Sequence, residues 1–575
     1  MNDGKILIFL ESNTKKITIK TFLGSDYTIF ATGGHLLDLV KSGPYNLGVD
    51  LQNFKPNYEV IDRKKNLVKF WNEYLLNNKP SQIFLATDPD REGEAIAREI
   101  VETLNLSEGS YKRLLFHEIT SSGVKKSLEK PLDIDKNLAE SQLSRQVLDR
   151  MIGFCLSTLL QKKIQAWSAG RVQSVVLKLI VDREREIINY GDKKEFIIFA
   201  LYNIKKNVYQ LNERTEDGDL RSFSTFEEAE IAKNSLEKTF KLKSKVEKEK
   251  YVFPKSPLTT SLLLYEAKSQ LGYSIYKTTT LAQQLYEGIT LKNKKKRLSL
   301  ITYPRTDSIR ISKVFTNRAY EYIKNKWGIE LCNFKDTSSS SKGGNKKNVQ
   351  DAHEAIRPTY LNYTPEDLKD EDLDPDQFKL YELIFNHTLS TLMQPAKYLN
   401  KVYYYLNGNR NFEMVENVVI SPGFFIILEN YYKKYRIKKT SNLKDADIEI
   451  IETDKVEIEE YLGNIPKRYT EGTLIKKLEI LGIGRPSTYN AFSKIIIKRR
   501  YSIFDKKGNF IPTDLGFKVN DWLQKYFSLL INENYTASLE DQLDKISQGE
   551  NTYLNFIKDF WNDFSPNYKR LDESQ

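Results

Sequence analysis

Residues 83–97 contain the pattern that most restricts how this chain can fold. The apolar run Ile83–Ala86 leads into a charged turn at 88–94, and a helical pattern follows over 95–104. A buried strand, a polar turn and a helix form the repeating unit of parallel α/β sheets, which bind ligands at the carboxyl ends of their strands. The sequence therefore predicts a parallel sheet with a functional site where the strand at 83–86 ends.

Three of the four carboxylates in this turn are candidates for a shared site. Asp88, Asp90 and Glu92 alternate with Pro89 and Arg91, so in an extended chain they would face one way. Carboxylates on one side repel each other unless a cation compensates them, and hard oxygen ligands of this kind suit Mg²⁺. The alternative is a solvated turn before a helix, because a helix N-terminus favours acidic residues.

A second predicted strand also ends at an acidic residue. The short apolar run at 5–10 is followed by Glu11, and a helix is predicted over 14–23. Two acidic strand ends in one sheet can converge on one site, which favours the metal interpretation. His35 follows the glycine pair at 33–34, a pattern that indicates a structural role more often than a catalytic one.

The composition limits the class of protein. Lys and Arg outnumber Asp and Glu by 88 to 77, and the net charge of +11 is consistent with a polyanionic partner. Cys155 and Cys332 are the only cysteines, too few for a disulfide framework or a structural zinc site. No apolar run approaches the roughly 18 residues that a membrane span needs, and no P-loop motif indicates ATP hydrolysis. A chain of 575 residues is long enough for about four domains, and we expect it to be cytoplasmic.

The region 139–189 has apolar residues at helical spacing. Arg145 and Asp149 are four positions apart and are expected to pair on the polar side of this helix. Ser168 is expected to cap a second helix. The stretch 168–174 combines small residues with polar donors, which suits either a phosphate backbone or a helix–helix contact.

Strand-like alternation in two distant regions, 195–252 and 401–454, predicts that they share one β-rich domain. Between them, helices are predicted over 259–288, a strand over 298–303 and a low-complexity loop over 336–349.

The C-terminal part is predicted to contain helices at 470–480 and 487–500. The spacing of this pair is that of a helix-turn-helix, although most such hairpins serve packing alone. The second helix carries basic residues, among them Arg499, that would suit DNA.

The strand predicted at 298–303 ends on a possible nucleophile beside a permanent cation. Tyrosine has a pKa of about 10, so Tyr303 needs help to attack a phosphate. Arg305, two positions on, could stabilise the negative charge that develops there. His353 and Arg357 form another such cluster downstream. The chain has 34 tyrosines, so spacing alone leaves Tyr303 a weak candidate.

Taken together, these blocks resemble those of type IA DNA topoisomerases. The stretch 83–97 is similar to the metal-binding motif of Toprim domains, and 303–307, Tyr-Pro-Arg-Thr-Asp, is similar to the family's active-site signature. The other similar blocks follow in the family's order at 11–12, 34–35, 116–120, 148–150, 168–174, 283–288, 352–359, 468–473 and 482–489. Ordered blocks along the whole chain are far more specific than any single motif.

The resemblance implies a multidomain α/β plus α plus β fold that closes into a four-domain torus. A Toprim domain with a Rossmann-like sheet would occupy 1–125. The other domains would be a helical DNA-binding base at 126–190 and 462–575, a β-rich arch or hinge at 191–258 and 395–461, and a lid with the tyrosine at 259–394.

The resemblance also implies a mechanism that needs no ATP. Tyr303 would attack a phosphodiester of single-stranded DNA and keep the 5′ phosphate. Arg305 and Lys15 would stabilise the phosphate, Glu11 would act as general acid and base, and His353 would contact the phosphate or relay a proton.

A bound Mg²⁺ and a groove for DNA complete the implied site. Glu11, Asp88, Asp90 and Glu92 would hold the metal, whose clearest use is to position DNA for rejoining. The residues implied to contact DNA are His35, Arg145, Gln146, Asp149, Phe154, Gln161, Ser168, Ala169, Gly170, Arg171, Val172, Gln173, Arg305, Arg485 and Arg499. The expected partner is single-stranded or underwound DNA, bound by a monomer associated with the nucleoid and not with a membrane.

The chain departs from the family pattern at several positions. Asn13 stands where a proline is usual, Gln146 where a second arginine is frequent, and Gln161 where a tryptophan is common. The sequence has no cysteine-rich zinc ribbon after the helical base, so strand passage is expected to be slower or to depend on basic surface. The alternatives are a topoisomerase III-like decatenase, another Toprim enzyme such as a primase or nuclease, and a non-catalytic single-strand-binding protein.

Overall fold

The computed structural model describes residues 5–191, 194–204, 207–293, 295–334, 353–371, 373–441, 443–444, 448–463 and 465–573. The low-complexity loop predicted at 336–349 lies outside these ranges. Within them, no helix is both long and apolar enough to cross a membrane.

A parallel sheet occupies the first part of the chain, as the pattern at 83–97 predicted. Its region contains β1 (Ile6–Leu10), α1 (Asn13–Lys20), β2 (Tyr27–Ala31), β3 (Leu37–Leu39), β4 (Tyr58–Val60), α2 (Lys65–Asn78), β5 (Ile83–Ala86), α3 (Arg91–Thr103), β6 (Tyr111–Arg113) and α4 (Ser121–Glu129). β1 pairs in parallel with β2 on one side and with β5 on the other, and β6 lies beyond β5. Leu10 is in register with Ala86, so the chain segments that carry Glu11 and Asp88 leave the sheet side by side.

Local hydrogen bonds set helix ends that the sequence pattern misplaced. α3 begins at Arg91, before the predicted start at 95, because Asp90 Oδ1 accepts a hydrogen bond from the backbone N of Gly93 at 2.9 Å. α1 ends at Lys20 and not at the predicted 23. Just after this end, the Thr21 hydroxyl donates to the backbone carbonyl of Thr18 in the last turn.

Two long helices follow, α5 (Lys136–Ile164) and α6 (Arg171–Tyr190). The prediction that Ser168 caps α6 is wrong, because Gly170 occupies the capping position and makes no side-chain hydrogen bond there. Ser168 lies two residues too early. Its backbone N and O bond to the Tyr501 hydroxyl instead, at 2.9 and 2.8 Å.

The predicted pairing of Arg145 with Asp149 is also wrong. Arg145 Nη2 donates to Glu540 at 3.1 Å, and Asp149 accepts from Arg171 Nε at 2.9 Å. A carboxylate from a distant helix thus replaces the local partner of Arg145. The residue pattern within one helix cannot reveal such a replacement.

A strand-rich region comes next, with one helix in it. Its elements are β7 (Glu195–Ile204), β8 (Asn207–Arg214), β9 (Ser222–Phe223), α7 (Phe226–Asn234) and β10 (Thr239–Val252).

The region that carries the candidate nucleophile is mainly helical. Its elements are α8 (Thr260–Leu271), α9 (Ile275–Glu287), β11 (Ile289–Leu291), β12 (Lys296–Leu298), α10 (Lys313–Trp327), α11 (Pro365–Leu368) and α12 (Pro375–Thr391). The strand predicted over 298–303 is wrong, because β12 ends at Leu298 and Ile301 forms only an isolated bridge to Pro358. The backbone N of Tyr303 bonds to His117 O and not to a strand neighbour, so no ladder continues there.

A second strand-rich region then completes the β-rich layer. Its elements are β13 (Ala396–Asn407), β14 (Arg410–Ser421), α13 (Asn430–Lys434), β15 (Ile437–Lys438), β16 (Ile450–Glu452) and β17 (Val456–Tyr461). In the described part of the chain, these strands join the earlier ones in one sheet with the order β16-β10-β13-β14-β8-β7-β17, with β9 beside β7 and β15 beside β14. The two distant regions therefore share a sheet, as their common alternation predicted.

The C-terminal region returns to helices and packs against α5 and α6. Its elements are α14 (Glu471–Ile480), α15 (Tyr489–Lys498), β18 (Ser502–Phe504), β19 (Phe510–Pro512), α16 (Asp514–Tyr526), α17 (Glu533–Ser547) and α18 (Tyr553–Glu573). Thr470 caps α14 as predicted, whereas α15 begins two residues later than the predicted 487. Buried side chains from both regions form one hydrophobic core, so distant parts of the chain build a single helical body.

A second hydrophobic core connects the parallel sheet to the region that carries Tyr303. It joins Ile8 and Leu10 of β1 and Phe84 of β5 to Tyr303 and its helical surroundings. The tyrosine therefore shares a hydrophobic core with one face of the parallel sheet.

Candidate active site and nucleic-acid cleft

Glu11 and Lys15 lie where β1 gives way to α1. Ser12 caps this helix by accepting hydrogen bonds from the backbone N of Thr14 and of Lys15 at 3.1 and 3.4 Å. The Lys15 ammonium forms a buried ion pair with Asp88 at the end of β5. Burial lowers the pKa of Lys15 although Glu11 opposes this, and burial raises the pKa of Glu11 itself.

Asp90 links the turn after β5 to the tyrosine. One oxygen, Oδ1, caps α3 through Gly93, and the other, Oδ2, accepts a hydrogen bond of 2.7 Å from the Tyr303 hydroxyl. Arg305 Nη1 lies 3.7 Å from the same Oδ2. Burial alone would raise the pKa of Asp90, but Arg305 and the Gly93 N–H outweigh it and leave this pKa below its ordinary value. Gly93 is required, since a Cβ there would lie 2.0 Å from Asp88 O.

Tyr303 is enclosed on every side, with 2% of its surface exposed. Its backbone N donates to His117 O at 3.0 Å. Its ring centroid lies 5.3 Å from that of Tyr286 and 5.5 Å from that of His353. Burial and the charge of Asp90 raise the pKa of Tyr303 well above its ordinary value, so the phenol is protonated in this arrangement.

Two imidazoles, from half-buried His117 and buried His353, stand behind the tyrosine. The rings of His117 and His353 lie 5.2 Å apart, and neither Nδ1 atom has a hydrogen-bond partner among the described residues. Burial, with a contribution from His353, lowers the pKa of His117 to about 4. Burial also lowers the pKa of His353, although Asp90 opposes it. Both rings are therefore neutral at physiological pH.

The block 116–118 connects the sheet to the tyrosine-bearing region through three contacts. Phe116 O accepts from the Tyr286 hydroxyl at 2.6 Å, and the next carbonyl binds the Tyr303 backbone. Glu118 Oε2 accepts from Arg357 Nη2 at 3.2 Å. Tyr303 is thus held by the segment that follows the edge strand of the sheet as well as by Asp90.

The acidic residues predicted to hold metal have different partners. Glu92 accepts from His35 Nε2 at 2.6 Å, while His35 Nδ1 contacts Glu99 at 2.6 Å. Burial would lower the pKa of His35, but these two carboxylates outweigh it and raise the pKa to about 10. In the part of the chain that the structure describes, no three His, Cys, Asp or Glu side chains are grouped closely enough to hold a metal ion as they stand.

Two oxygens nevertheless remain suited to a cation. Glu11 Oε2 and Asp88 Oδ2 are buried and accept no hydrogen bond from any described residue. Buried carboxylate oxygens without donors are unfavourable unless a cation compensates them, and hard oxygen ligands of this type fit Mg²⁺. The donor chemistry at the two strand ends therefore fits the metal.

Next to the tyrosine, arginines gather around two carboxylates of α17. Glu540 accepts from Arg171 Nη1 at 2.7 Å and from Arg145 Nη2 at 3.1 Å. Arg485 Nη2 donates to Asp544 at 2.6 Å. These buried ion pairs hold the guanidinium groups in fixed orientations.

Two of these arginines, Arg145 and Arg485, also line a cleft that opens to solvent. The residues that line it are Asp90, Arg91, Arg145, Arg305, Asp307, Arg485, Pro486 and Ser487. Arg91 pairs with Asp544, yet its Nη1 and the Nε of Arg145 are buried without a hydrogen-bond partner among the described residues. Unpaired arginine donors beside the tyrosine suit the oxygens of a nucleic-acid backbone.

Comparison with known proteins places this site in a family. The chain matches the DNA topoisomerase family over residues 133–558 and the Toprim domain over residues 6–119. It is 35% identical over 604 residues to DNA topoisomerase 1 of Mycoplasmoides gallisepticum (strain R(low / passage 15 / clone 2)). The alignment covers 98% of this chain and 83% of that protein. The chain belongs to the type IA DNA topoisomerase family.

The fold of this topoisomerase agrees with that assignment. The structure of full-length topoisomerase I from Thermotoga maritima, in a monoclinic crystal form, matches it with a TM-score of 0.82 and 34% sequence identity. The match covers 98% of this chain and 90% of that one. The prediction of a multidomain topoisomerase fold is confirmed.

The other residues of the topoisomerase that were predicted to contact DNA lie along α5, α6, the turn between them and α15. Gln146 accepts from the Tyr58 hydroxyl at 2.9 Å, and half-buried Phe154 packs under the Arg150 guanidinium, 4.6 Å from the ring centroid. Arg499 is half-buried at the C-terminal end of α15.

The turn before α6 combines buried and accessible positions. Ala169 and Val172 are buried in the helical core, so their contribution to DNA binding would come from the backbone. Gly170 is half-buried and extended, and Gln173 Nε2 donates to Ser168 O at 3.3 Å. The side chains of this turn are thus partly used to hold the turn itself.

Sequence reasoning missed Arg113, which organises the end of β5. This side chain is 1% exposed, and its Nε donates to Glu94 at 2.8 Å. Its other nitrogens donate to the carbonyls of Leu85, Thr87, Asp88 and Leu114 at 2.7–3.0 Å. The sequence did contain one signal of this role, because Arg113 is a charged residue next to the apolar stretch that follows β6.

Glu540 and Asp544 were missed as well. Their spacing of four residues places both on one face of α17, which was visible in the sequence. Their arginine partners lie between 59 and several hundred residues away along the chain, so only the fold could reveal the cluster.

Proposed function

We propose that the chain relaxes negatively supercoiled DNA without ATP by cutting one strand, passing a strand through the break and rejoining the ends. The observation that carries the proposal is the contact of the Tyr303 hydroxyl with Asp90, beside Arg305 and an arginine-lined cleft. A nucleophile, an acidic strand end and a phosphate-binding surface are the parts that such chemistry requires.

The cut exchanges one phosphodiester for another. The Tyr303 oxygen attacks the phosphorus, the bond from phosphorus to the 3′ oxygen breaks, and the tyrosine keeps the 5′ phosphate. Once it has left Asp90, the Tyr303 hydroxyl loses its proton to water as the new bond forms, and the departing 3′ oxygen takes a proton from Glu11. Burial raises the pKa of Glu11, which supports its role as the acid, and in rejoining it takes the proton back. Because the phosphotyrosine linkage is a phosphodiester like the bond that was cut, the ends can rejoin without ATP.

Two cations and an imidazole support this step. Arg305 orients the scissile phosphate and stabilises its charge, and Lys15 does the same from the other side of the acidic turn. His353, whose ring centroid lies 5.5 Å from that of Tyr303, contacts the phosphate or relays a proton through its unpartnered Nδ1.

A bound Mg²⁺ belongs to the proposal. Glu11, Asp88 and Asp90 would hold it, with Glu92 joining if it leaves His35. The ion would supply positive charge that keeps the cut DNA ends aligned for rejoining. Fitting it requires that Lys15 move away from Asp88.

The tyrosine must also become accessible. In the arrangement described here it is buried against the sheet, so DNA can reach it only after the region of α8–α12 separates from the sheet. The proposal includes the division into four domains. These are the Toprim domain at 1–125, the helical base at 126–190 with 462–575, the β-rich arch at 191–258 with 395–461, and the lid at 259–394, which is the part that moves.

The residues 145–173, with Arg485 and Arg499, would hold the single strand. Phosphate contacts from arginines would supply most of the affinity and make binding depend on salt. A monomer bound to nucleoid DNA in the cytoplasm remains our prediction.

A relaxation assay on negatively supercoiled plasmid, with Mg²⁺ and without ATP, tests the proposal. We expect relaxation by the unsubstituted chain and none by Tyr303→Phe. Tyr286→Phe is the matched control, because it removes a neighbouring buried hydroxyl that is not the nucleophile. A decatenation assay on the same preparations would show which of the two activities predominates. Relaxation by Tyr303→Phe would refute the assigned nucleophile.

A further inference from the structure

Trp167 is the exposed tryptophan of this chain, with 58% of its surface accessible. Trp71 and Trp561 are buried, and Trp327 and Trp522 pack partly buried against hydrophobic cores. A single exposed apolar side chain is ordinary on a protein surface, so the setting of Trp167 must carry the argument.

The backbone that presents Trp167 is fixed by hydrogen bonds on both sides. Gln161 Nε2 donates to Trp167 O at 3.0 Å, and Ala166 N donates to Leu160 O at 3.1 Å. The next residue, Ser168, bonds through both backbone atoms to the Tyr501 hydroxyl. An aromatic ring on a rigid turn loses little conformational entropy when a ligand stacks on it.

Basic residues neighbour the groups that hold the turn. Arg499 and Arg500 directly precede Tyr501, whose hydroxyl holds Ser168. Lys518 Nζ lies 3.4 Å from Ile164 O at the end of α5. An aromatic face among arginines and lysines is the combination that binds single-stranded nucleic acid, in which cations contact phosphates and rings stack on bases.

The turn is also linked to the wall of the arginine-lined cleft through buried side chains. It leads into α6 at Arg171, whose guanidinium shares Glu540 with Arg145 of the cleft wall. A strand of DNA that lies in the cleft would therefore pass toward this turn.

We propose that Trp167 stacks on a base of the single DNA strand where it leaves the arginine-lined cleft. This inference rests on the proposed function and adds a named contact to it. The contact would be tolerant of sequence, because every base offers a flat face, and it would require an unpaired strand, because the faces in a duplex are already stacked.

Binding of a single-stranded oligonucleotide, followed by tryptophan fluorescence, tests this contact. The measurement uses the full chain with Tyr303→Phe, so that no cutting occurs. We expect the oligonucleotide to quench emission, a blunt duplex of the same sequence to quench far less, and the further change Trp167→Phe to remove the quenching. Trp167→Ala should weaken binding about tenfold, while Trp167→Phe keeps most of the affinity.

A matched control is Phe70→Ala, which removes an exposed aromatic ring from α2, outside the turn and its basic surroundings. It should leave oligonucleotide affinity unchanged. The inference is overturned if Trp167→Ala binds as tightly as its parent, if Trp167→Phe is still quenched, or if emission changes with protein concentration but not with DNA. Because cutting plays no part, these results are independent of the relaxation assay, which alone decides the proposed function.

Discussion

The Tyr303 hydroxyl donates a hydrogen bond of 2.7 Å to Asp90 Oδ2, so the proposed nucleophile of this topoisomerase directly contacts the acidic turn of the parallel sheet. The other oxygen of Asp90 caps α3 through Gly93. One carboxylate therefore fixes both the start of the helix and the phenol. The contact also leaves Tyr303 buried, which means that DNA has to displace Asp90 from the hydroxyl before the cut.

Replacing both aspartates of the turn should separate cutting from rejoining. We expect Asp88→Asn with Asp90→Asn to impair rejoining and relaxation more than the initial cut, because the proposed role of these carboxylates is to hold Mg²⁺ while the ends realign. The measurement is the fraction of oligonucleotide trapped on the protein, together with its rate of rejoining. Asp133→Asn, which changes an exposed carboxylate paired with Lys112, is the control. Equal loss of both steps would argue against this division of labour.

Loss of the buried ammonium should slow the cut. We expect Lys15→Met to reduce the rate of cutting about 100-fold or more, as removal of a preorganised group that stabilises developing charge commonly does. The neighbouring Lys16→Met should leave the rate unchanged. Rates are to be measured on a single-stranded oligonucleotide, with thermal unfolding recorded in parallel, since Asp88 loses its partner in the first variant. A folded Lys15→Met protein that cuts at the ordinary rate would remove Lys15 from the mechanism.

Arg113 should matter for stability. We expect Arg113→Met to lower the free energy of unfolding by about 3–5 kcal/mol, because it leaves the buried Glu94 carboxylate unpaired. Thermal or urea unfolding of the full chain measures the change. Lys112→Met is the control, since its ammonium pairs at the surface with Asp133. A loss no larger than that of the control would contradict the role assigned to the buried pair.

The parallel sheet and its acidic ends were predictable because their determinants are local. An apolar run, a polar turn and a helical period lie within residues 83–97, and the second acidic strand end at Glu11 has the same form. The shared sheet of the two distant strand-rich regions was also predictable from their alternation. Tyr303 became a strong candidate only through the order of the blocks around it, which predicted the family that the comparison shows.

What the sequence could not supply were contacts made across the fold. Arg145 pairs with Glu540 and not with Asp149, and Glu92 pairs with His35. The strand predicted before Tyr303 does not continue to that residue in the described structure, because the backbone N–H of Tyr303 donates to the carbonyl of His117. Such choices depend on which groups folding brings together, and a periodicity within one segment carries no information about them.

Glu540 should make stability depend on pH in a defined direction. Burial alone would raise the pKa of Glu540, but Arg171, Arg145 and Arg485 outweigh burial and hold it far below its ordinary value. A carboxyl whose pKa is lowered on folding contributes stability that is fully present above its unfolded pKa of about 4.3 and is lost as the pH falls below that value. Glu540→Gln should therefore lower the urea midpoint at neutral pH, and the difference from the parent should shrink below about pH 4.

Urea titrations of both proteins in steps from neutral to acidic pH measure this difference. Asp559→Asn, at an exposed position of α18, is expected to leave the midpoint unchanged at neutral pH. A difference that stays constant or grows on acidification would show that the charge of Glu540 is not what stabilises the arginine cluster.

The central claim, that Tyr303 holds the 5′ phosphate of a cut strand, is tested most directly by trapping the covalent complex. A single-stranded oligonucleotide labelled at either end is incubated with the protein and Mg²⁺, and the reaction is stopped with denaturant. We predict that the 3′-labelled fragment remains attached to the protein through Tyr303, while the 5′-labelled fragment is released with a free 3′ hydroxyl. No adduct should form with Tyr303→Phe. Attachment of the 5′-labelled fragment, or an adduct that persists in Tyr303→Phe, would contradict the account.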